Sequence, residues 1–298
     1  MGFFLEVLIG GLMAGVLYSL VALGLVLIFK ASGVFNFAQG AMVLFAALSL
    51  VRLMEKMPLP LALLATCVIM LMLAYAIERL VLRPLVNQPG ISLFMATLGI
   101  TFFLEGFGQI LWGSDIYKLD LGIPKQPLII LEKVFDGGIL VGSDDLFATV
   151  VSSALVIVLA IFFQKTRIGR ALRAVADDHQ AAQSIGIPLN QIWLIVWTVA
   201  GLVALVAGII WGSRLGVQFS LSLIALKALP VVILGGFTSV PGAIIGGLII
   251  GVGEKMSEVY LGPLIGGGIE NWFAYTLALL FLLIRPEGLF GEKIIDRV

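Results

Sequence analysis

The chain has 298 residues, of which 60% are hydrophobic and 12% are charged, and its formal net charge is zero. Soluble domains carry about twice that share of charged residues, so the composition indicates a polytopic membrane protein with a lipid bilayer as its solvent. The zero net charge gives no electrostatic support for nucleic-acid binding, and the single cysteine, Cys67, excludes an internal disulfide and a zinc cluster.

Uncharged apolar runs predict the helices, because about 20 residues are needed to cross a bilayer. Eight such runs predict an all-α transmembrane bundle that forms one domain over residues 1–298. The first run lacks a basic leading segment and a small-residue cleavage site, so we expect a retained span rather than a signal peptide. The runs are Val7–Phe29, Ala31–Val51, Met57–Ile77, Pro84–Leu104, Leu146–Gln164, Gln180–Ser213 with its membrane part from about Ile192, Ala228–Gly253 and Asn271–Ile284.

Basic residues orient these runs, because cytoplasmic loops are rich in lysine and arginine. The polar segment 165–191 has four basic residues before its first acid, which places this segment in the cytoplasm. Counting spans backwards from it puts residues 114–145 and the N-terminus outside the cell. Arg285, Lys293 and Arg297 favour a cytoplasmic C-terminus.

An even number of crossings would put both termini on one side, so we expect an additional break near the end of the chain. Glycines and a proline interrupt the seventh run in the sequence G-G-F-T-S-V-P-G. Backbone groups freed by such a break are tolerated only where protein or a water-filled cavity satisfies them. The predicted broken hairpin contains Gly235, Gly236, Pro241 and Gly242.

A weak internal repeat matches this break to an earlier one. The pattern F-x-x-x-x-G-A occurs at 35–41 and again at 237–243. Gly33 lies two residues before the first copy, and Gly40 is the glycine of that copy. Broken helices at matching positions of two halves are typical of transporters. Four matched positions in a chain rich in glycine and alanine also arise by chance, so both interpretations stay open.

Asn36 and Gln39 are the polar side chains of the first copy. Their i,i+3 spacing predicts that both lie on one helix face at the mouth of a span. One interpretation is a pathway lining that binds the polar ends of a zwitterion. The other is a pair of interhelical hydrogen bonds, each worth under about 1–2 kcal/mol.

Ionisable residues inside apolar segments are functional candidates by default. Lys227 begins the broken hairpin, where it could steer a substrate carboxylate or extend its ammonium group to the membrane interface. Glu105 and Glu254 are equally compatible with structural roles. Small-residue ridges such as Gly11-x-x-x-Gly15 and Gly247-x-x-x-Gly251 let helices touch, either inside this chain or against a second membrane subunit.

Catalytic chemistry has no support in the sequence. The ATP-binding pattern G-x-x-x-x-G-K-[ST] is absent, and the single histidine, His179, has no partners for a metal site or a catalytic triad. We therefore expect a transport subunit without an ATPase site of its own, without a cofactor and without a metal.

The polar segment 165–191 contains a short predicted helix, about 178–185, that is too short to be stable alone. Asp177 is a suitable N-cap, a small apolar ridge follows, and a glycine before Pro188 can take the left-handed position that ends a helix. This helix must dock on something. Its residues with expected roles are Asp178, Gln180, Ala181, Ala182, Ile185 and Gly186.

The segment Q-A-A-Q-S-I-G resembles the E-A-A-x-x-x-G loop of ABC-importer permeases, with Gln180 in place of the usual glutamate. Together with Gly33–Gly40, Thr97–Ile100 and Lys227–Ala243, it makes the whole chain similar to LivH-type permeases of branched-chain amino acid ABC importers. The resemblance implies that the short helix is a coupling helix, which docks in a cleft of a cytoplasmic ATPase subunit.

The resemblance also implies the partners and the location. We expect a second, LivM-like permease subunit, two ATPase subunits that use ATP, a periplasmic substrate-binding protein and a bacterial inner membrane. This chain would form half of the translocation pathway for branched-chain or other small hydrophobic amino acids. Alternatives are import of amides, urea or small carboxylates, or a different class of protein, a secondary transporter or a channel.

Overall fold

The computed structural model describes residues 2–85, 88–123, 126–130, 132, 138–177 and 179–291, without the side chains of residues 179, 180 and 271. Helices dominate these residues, and the predicted all-α polytopic fold is confirmed. The helices are α1 (Gly2–Ser32), α2 (Gln39–Met54), α3 (Leu59–Ala76), α4 (Gly90–Trp112), α5 (Ser143–Lys165), α6 (Arg167–Asp177), α7 (His179–Ser184), α8 (Leu189–Leu215), α9 (Ile224–Gly235), α10 (Val240–Ile265) and α11 (Phe273–Ile284).

Shorter elements connect these helices. A π-helical turn (Ile77–Leu82) and a 3₁₀ turn (Arg83–Leu85) extend α3, and further 3₁₀ turns precede α9 (Phe219–Leu223) and α11 (Ile269–Asn271). Strands β1 (Pro127–Ile130) and β2 (Ile139–Gly142) form an antiparallel hairpin in the connection 114–145. The sequence reasoning did not predict these strands.

Six helices in the described residues are long and apolar enough to cross a membrane, and three apolar segments are shorter: 39–54, 219–235 and 273–284. The prediction of one continuous helix over Ala31–Val51 is wrong. Gly33, with φ of +70°, ends α1, and α2 begins only at Gln39. The run Ala228–Gly253 is divided between α9 and α10, as expected for a broken hairpin.

Contacts divide the chain, predicted as one domain, into two compact units. The first unit consists of Met1–Leu23, Gly122–Ile157 and Lys227–Val298. The second unit consists of Gly24–Leu121 and Val158–Leu226.

A glycine seam joins α1 to α10 in the first unit. A Cβ atom built on Gly15 would lie 2.7 Å from the carbonyl oxygen of Gly247, and one on Gly11 would lie 2.7 Å from the Cα of Val252. The Ser19 hydroxyl donates to the Ile244 carbonyl at 3.1 Å. These two glycine ridges therefore pack inside the chain, and the pairing order shows that α1 and α10 are antiparallel.

The broken hairpin α9–α10 also belongs largely to the first unit. Cβ atoms on Gly235 and Gly242 would each collide with the carbonyl oxygen of the other residue. The chain after α11 returns to this point, because the Leu289 amide donates to the Leu234 carbonyl (2.8 Å) and the Phe290 amide to the Gly235 carbonyl (3.1 Å). Backbone of the same chain thus satisfies the carbonyls freed at the end of α9.

Helix α2 is the core of the second unit. Every residue from Gln39 to Val51 is buried, which requires apolar or small side chains on all faces of the helix. Glycines allow its neighbours to approach: a Cβ on Gly208 of α8 would lie 2.6 Å from the Val43 carbonyl oxygen. Gly40 leaves no room for a Cβ because the Ser222 carbonyl oxygen occupies that space.

Pairings along α2 fix its direction relative to α8. Gln39 lies beside Ala200, and Val43 and Ala47 lie beside Gly208. Residue numbers rise together in both helices, so α2 and α8 are parallel.

Candidate functional site

The polar segment 165–191 contains two helices rather than the one that the sequence predicted. Helix α6 turns away from the end of α5 directly after Thr166, whose side-chain oxygen accepts a hydrogen bond from the Gly169 amide at 3.0 Å and so caps α6. A Cβ on Gly169 would collide with the Phe163 carbonyl, which makes a glycine necessary at this turn. Asp177 is therefore the last residue of α6 and not the expected N-cap.

An arginine ties α6 to the end of α5. The Arg173 guanidinium donates to the carbonyl oxygens of Phe163 and Gln164, which are among the last of α5 and have no partner within that helix. Leu172 and Val175 face the interior, while Arg167 and Arg170 are exposed. Helix α6 is thus an amphipathic helix with a fixed orientation relative to α5.

Helix α7 ends as the sequence predicted. Gly186 has φ of +86°, its amide donates to the Gln183 carbonyl (3.0 Å), and the Ile187 amide donates to the Ala182 carbonyl (3.0 Å). These two bonds together form a Schellman motif, which satisfies the last carbonyls of a helix. The six-residue helix is therefore sharply terminated before α8 begins at Leu189.

The predicted ridge of α7 is divided between two faces. Ala182 is 2% exposed, so its side chain packs within this chain, whereas Ala181 is exposed and Ile185 is 74% exposed. Ala182 therefore lies away from the exposed face of α7, and a docking role for the ridge stays a prediction. Asp178 and the side chain of Gln180 lie outside the described residues.

Asn36 and Gln39 form a buried pair at the break between α1 and α2. The Asn36 side-chain oxygen accepts from the Ala38 amide (3.0 Å), its amide group donates to Gln39 Oε1 (3.3 Å), and Gln39 Nε2 donates to the Ala200 carbonyl (3.3 Å). Asn36 precedes the helix, so the prediction of one shared helix face is wrong. Both side chains are 0% exposed, which supports the hydrogen-bonding interpretation over pathway lining in this conformation.

This break ends beside the middle of α8. Ala200, the partner of Gln39, is the twelfth of the 27 residues of α8 (Leu189–Leu215). Ser222, whose carbonyl contacts Gly40, belongs to the 3₁₀ turn that precedes α9. Two interruptions of helical structure therefore meet near the middle of a membrane-spanning helix.

The hairpin in the first unit is closed mainly by backbone. Gly236 has φ of +103°, Ser239 caps α10 by accepting from the Gly242 amide (3.0 Å), and Pro241 occupies the first turn, where no amide is needed. Lys227, on α9, is half-buried and interacts electrostatically with Glu254 of α10. Glu254 is buried and accepts a hydrogen bond from Tyr18, which favours a structural role for both charges.

Glu78 is a buried carboxylate that the sequence reasoning missed. It is 0% exposed, one oxygen accepts from Arg83 Nε at 3.2 Å, and Oε2 has no partner among the described residues. The pair is five residues apart, a spacing that an α-helix does not align. The π-helical turn 77–82 aligns it, since its hydrogen bonds join residues five apart.

Within the described ranges, no group of three metal-ligating side chains is close enough to hold an ion. The described residues instead contain a short, sharply ended loop helix, a helix break closed by side chains and a hairpin closed by backbone groups.

Comparisons with known proteins agree with this description. LivH of Salmonella typhimurium, a high-affinity branched-chain amino acid transport system permease protein, is 28% identical over 99% of this chain and 98% of its own length. BraD of Pseudomonas aeruginosa is 27% identical over 99% and 98%. A probable branched-chain amino acid transport permease LivH of Methanocaldococcus jannaschii is 30% identical over 96% and 92%.

A family profile extends this similarity over nearly the whole chain. The profile described as "branched-chain amino acid transport system / permease component" matches residues 7–285. The chain therefore belongs to the family of permease components of branched-chain amino acid transport systems.

Proposed function

We propose that this chain is the permease subunit of an ATP-driven importer of branched-chain amino acids, and that it forms half of the translocation pathway. The observation that carries the proposal is the α6–α7 element, a capped two-helix connection with an exposed apolar tip between two membrane spans. Relatives named as permeases of branched-chain amino acid transport support the substrate class. Import of amides, urea or small carboxylates by the same architecture is the alternative.

The proposed partners follow from the role. Two cytoplasmic ATPases bind and hydrolyse ATP, a second permease subunit of the LivM type completes the pathway, and a periplasmic binding protein delivers the substrate. The chain itself performs no hydrolysis. Its own contribution is to receive movement at the α6–α7 element and to open the pathway alternately outward and inward.

We orient the chain with α7 in the cytoplasm, the N-terminus in the periplasm and the C-terminus in the cytoplasm. The described residues contain six long and three shorter apolar helical segments, nine in all. Nine alternating crossings make the first antiparallel to the eighth and the second parallel to the sixth. The antiparallel pairing of α1 with α10 and the parallel pairing of α2 with α8 both support this count.

Movement at α7 reaches the membrane through rigid contacts. Ala182 of α7 is buried within this chain, and so is one face of α6. Arg173 of α6 donates to a carbonyl at the end of α5. Helix α8 begins only five residues after α7 ends (Ser184 to Leu189). A displacement of α7 by an ATPase therefore acts on α5 and α8 together.

The test reconstitutes the complete complex in proteoliposomes and follows the uptake of labelled leucine. We expect uptake to require ATP hydrolysis, to stop with an ATPase whose catalytic site is inactivated, and to persist when ionophores collapse ion gradients. Uptake driven by an ion gradient without the ATPase would show a secondary transporter instead. Downhill flux without either energy source would show a channel.

A further inference from the structure

A cavity of about 260 Å³ lies in the second unit, beside the break between α1 and α2. Phe35 and Phe37 of the break form one wall, and Phe102 and Glu105 of α4 form another. The 3₁₀ turn before α9 contributes Ser222. The proposed function leaves this cavity without a role.

Contacts among aromatic residues hold the wall of the break in place. The rings of Phe35 and Phe37 meet edge to face at 4.7 Å, and Phe37 meets Phe94 of α4 at 5.0 Å. The Thr97 hydroxyl also lies 3.4 Å from the Phe35 carbonyl oxygen. Because Asn36 is turned inward by its own hydrogen bonds, its two aromatic neighbours face the cavity.

The position of the cavity along the helices is compatible with a transport site. Gln39, the first residue after the break, lies beside Ala200 near the middle of α8, and Phe102 and Glu105 lie near the middle of α4, so the cavity is near the middle of two long apolar helices. Non-helical backbone at this depth is tolerated where it is buried in protein or lines a water-filled cavity. In transporters, discontinuous helices near the midplane commonly form the substrate site.

Glu105 gives the cavity its chemical preference. In the part of the chain that the structure describes, its half-buried carboxylate makes no hydrogen bond and no ion pair. A carboxylate inside an apolar helix is costly unless it binds something. The hydroxyls of Thr101 and Ser222 donate their protons to the carbonyls of Thr97 and Phe219. Their oxygen atoms can therefore accept hydrogen bonds in the cavity, in addition to the Glu105 carboxylate.

We propose that this cavity is a transient substrate site, which binds the ammonium group of an amino acid at Glu105 and its aliphatic side chain against Phe35, Phe37 and Phe102. This inference rests on the proposed function and adds the site to it. Asn36 and Gln39 are positioning residues, since they hold the break that presents the aromatic wall. The ligand class is a small molecule with one primary ammonium group and an apolar body.

The first test is the variant Glu105→Gln, assembled in the complete complex with its binding protein. An ammonium group that loses a desolvated charged partner loses affinity by about tenfold or more. We expect leucine uptake to fall about tenfold, while ATP hydrolysis stimulated by the loaded binding protein stays within about twofold. Glu105→Asp, which keeps the charge, should recover part of the uptake.

The second test uses neighbouring phenylalanines of α4. Phe102 lines the cavity and is 70% exposed, whereas Phe103 is 63% exposed and does not line it. Phe102→Ala should change the ratio of valine to isoleucine uptake, and Phe103→Ala should leave this ratio unchanged. The two substitutions remove the same side chain from adjacent, similarly exposed positions, so Phe103→Ala is the matched control.

Three results would overturn the proposal. Unchanged uptake in both Glu105→Gln and Phe102→Ala would show that lipid or nothing fills the cavity. Uptake and ATP hydrolysis falling together would show a structural residue. Loss of the co-purified second permease in step with uptake would show that the cavity is a subunit contact. If the wild-type complex fails to import leucine with ATP, the proposed function itself fails, which is a separate outcome.

Discussion

The two helix breaks share the pattern F-x-x-x-x-G-A, yet different groups close them. At 33–38 the closing groups are side-chain amides: Asn36 binds Gln39, and Gln39 binds the Ala200 carbonyl. At 236–239 they are backbone groups, because the amides of Leu289 and Phe290 bind the carbonyls at the end of α9. In both copies the final glycine is required by a backbone carbonyl that occupies the space of its Cβ atom.

The two breaks also differ in their surroundings. The first borders a cavity, and the second is covered by backbone of the same chain. The break at 33–38 leaves two phenylalanines beside the Glu105 carboxylate, which has no partner among the residues that the structure describes. The break at 236–239 is covered by a segment of the same chain around Gly288, whose added Cβ would lie 2.7 Å from the Gly236 amide nitrogen. The repeated sequence pattern therefore specifies a close backbone approach, and the side chains around it determine the use of the break.

The largest effect should come from adding a methyl group to the final glycine of either copy. In Gly40→Ala the new Cβ meets the Ser222 carbonyl, and in Gly242→Ala it meets that of Gly235. Backbone cannot move aside cheaply, so we expect a loss of about 3 kcal/mol or more, at the upper end for overpacking. Thermal unfolding of the purified protein measures it.

The matched control is Gly99→Ala in α4, where a Cβ has no neighbour within 4 Å. This change should be neutral or stabilise the protein by up to about 1 kcal/mol, because alanine is the better helix former. A Gly40→Ala protein as stable as Gly99→Ala would show that α2 and the turn at Ser222 are not in contact.

An intermediate effect is expected at the side-chain-closed break. Gln39→Leu leaves the buried Asn36 side-chain amide without its acceptor and removes the hydrogen bond to the Ala200 carbonyl, which costs about 1–3 kcal/mol. Gln39→His keeps a donor and an acceptor and should cost less. Melting temperature and leucine uptake, measured together, check this. Loss of uptake at unchanged stability would restore pathway lining as the role of Gln39.

The smallest effect is expected from the side chain that caps α10 at the backbone-closed break. Ser239→Ala removes the cap of α10 and should cost about 1 kcal/mol, whereas Ser239→Asp keeps an acceptor oxygen and should cost less. Uptake should remain near the wild-type rate in both variants. A large loss of uptake in Ser239→Ala without a change in melting temperature would mean that this break also has a direct role in transport.

Local signals in the sequence were sufficient for part of the site. A glycine followed by a proline predicted the sharp end of α7, and the structure has a left-handed Gly186 with both expected hydrogen bonds. Glycine pairs with Pro241 predicted the hairpin. Such features are predictable because they depend on the backbone conformation of a few consecutive residues.

Features that depend on packing were not predictable. Ala181 and Ala182 look alike in the sequence, but the fold exposes Ala181 and buries Ala182. Asn36 and Gln39 have helical spacing, but a carbonyl 161 residues away stabilises a break between them. Glu78 and Arg83 were overlooked because their spacing fits a π-helical turn, which sequence patterns do not reveal.

The exposed tip of α7 is the place to test whether this helix docks on an ATPase. Ile185 is 74% exposed at the end of α7, outside the membrane spans, so Ile185→Asp should leave folding intact. Ile116→Asp, at an isoleucine 71% exposed in the connection after α4, is the matched control.

The decisive measurement is the amount of ATPase that co-purifies with each variant, together with substrate-stimulated ATP hydrolysis. In Ile185→Asp we expect the co-purified ATPase and the stimulated hydrolysis each to fall at least about tenfold, because a buried unpaired charge at an interface costs several kcal/mol. Ile116→Asp should keep both at the wild-type level. Normal ATPase capture and normal hydrolysis by Ile185→Asp would contradict the assignment of α7 as the coupling helix.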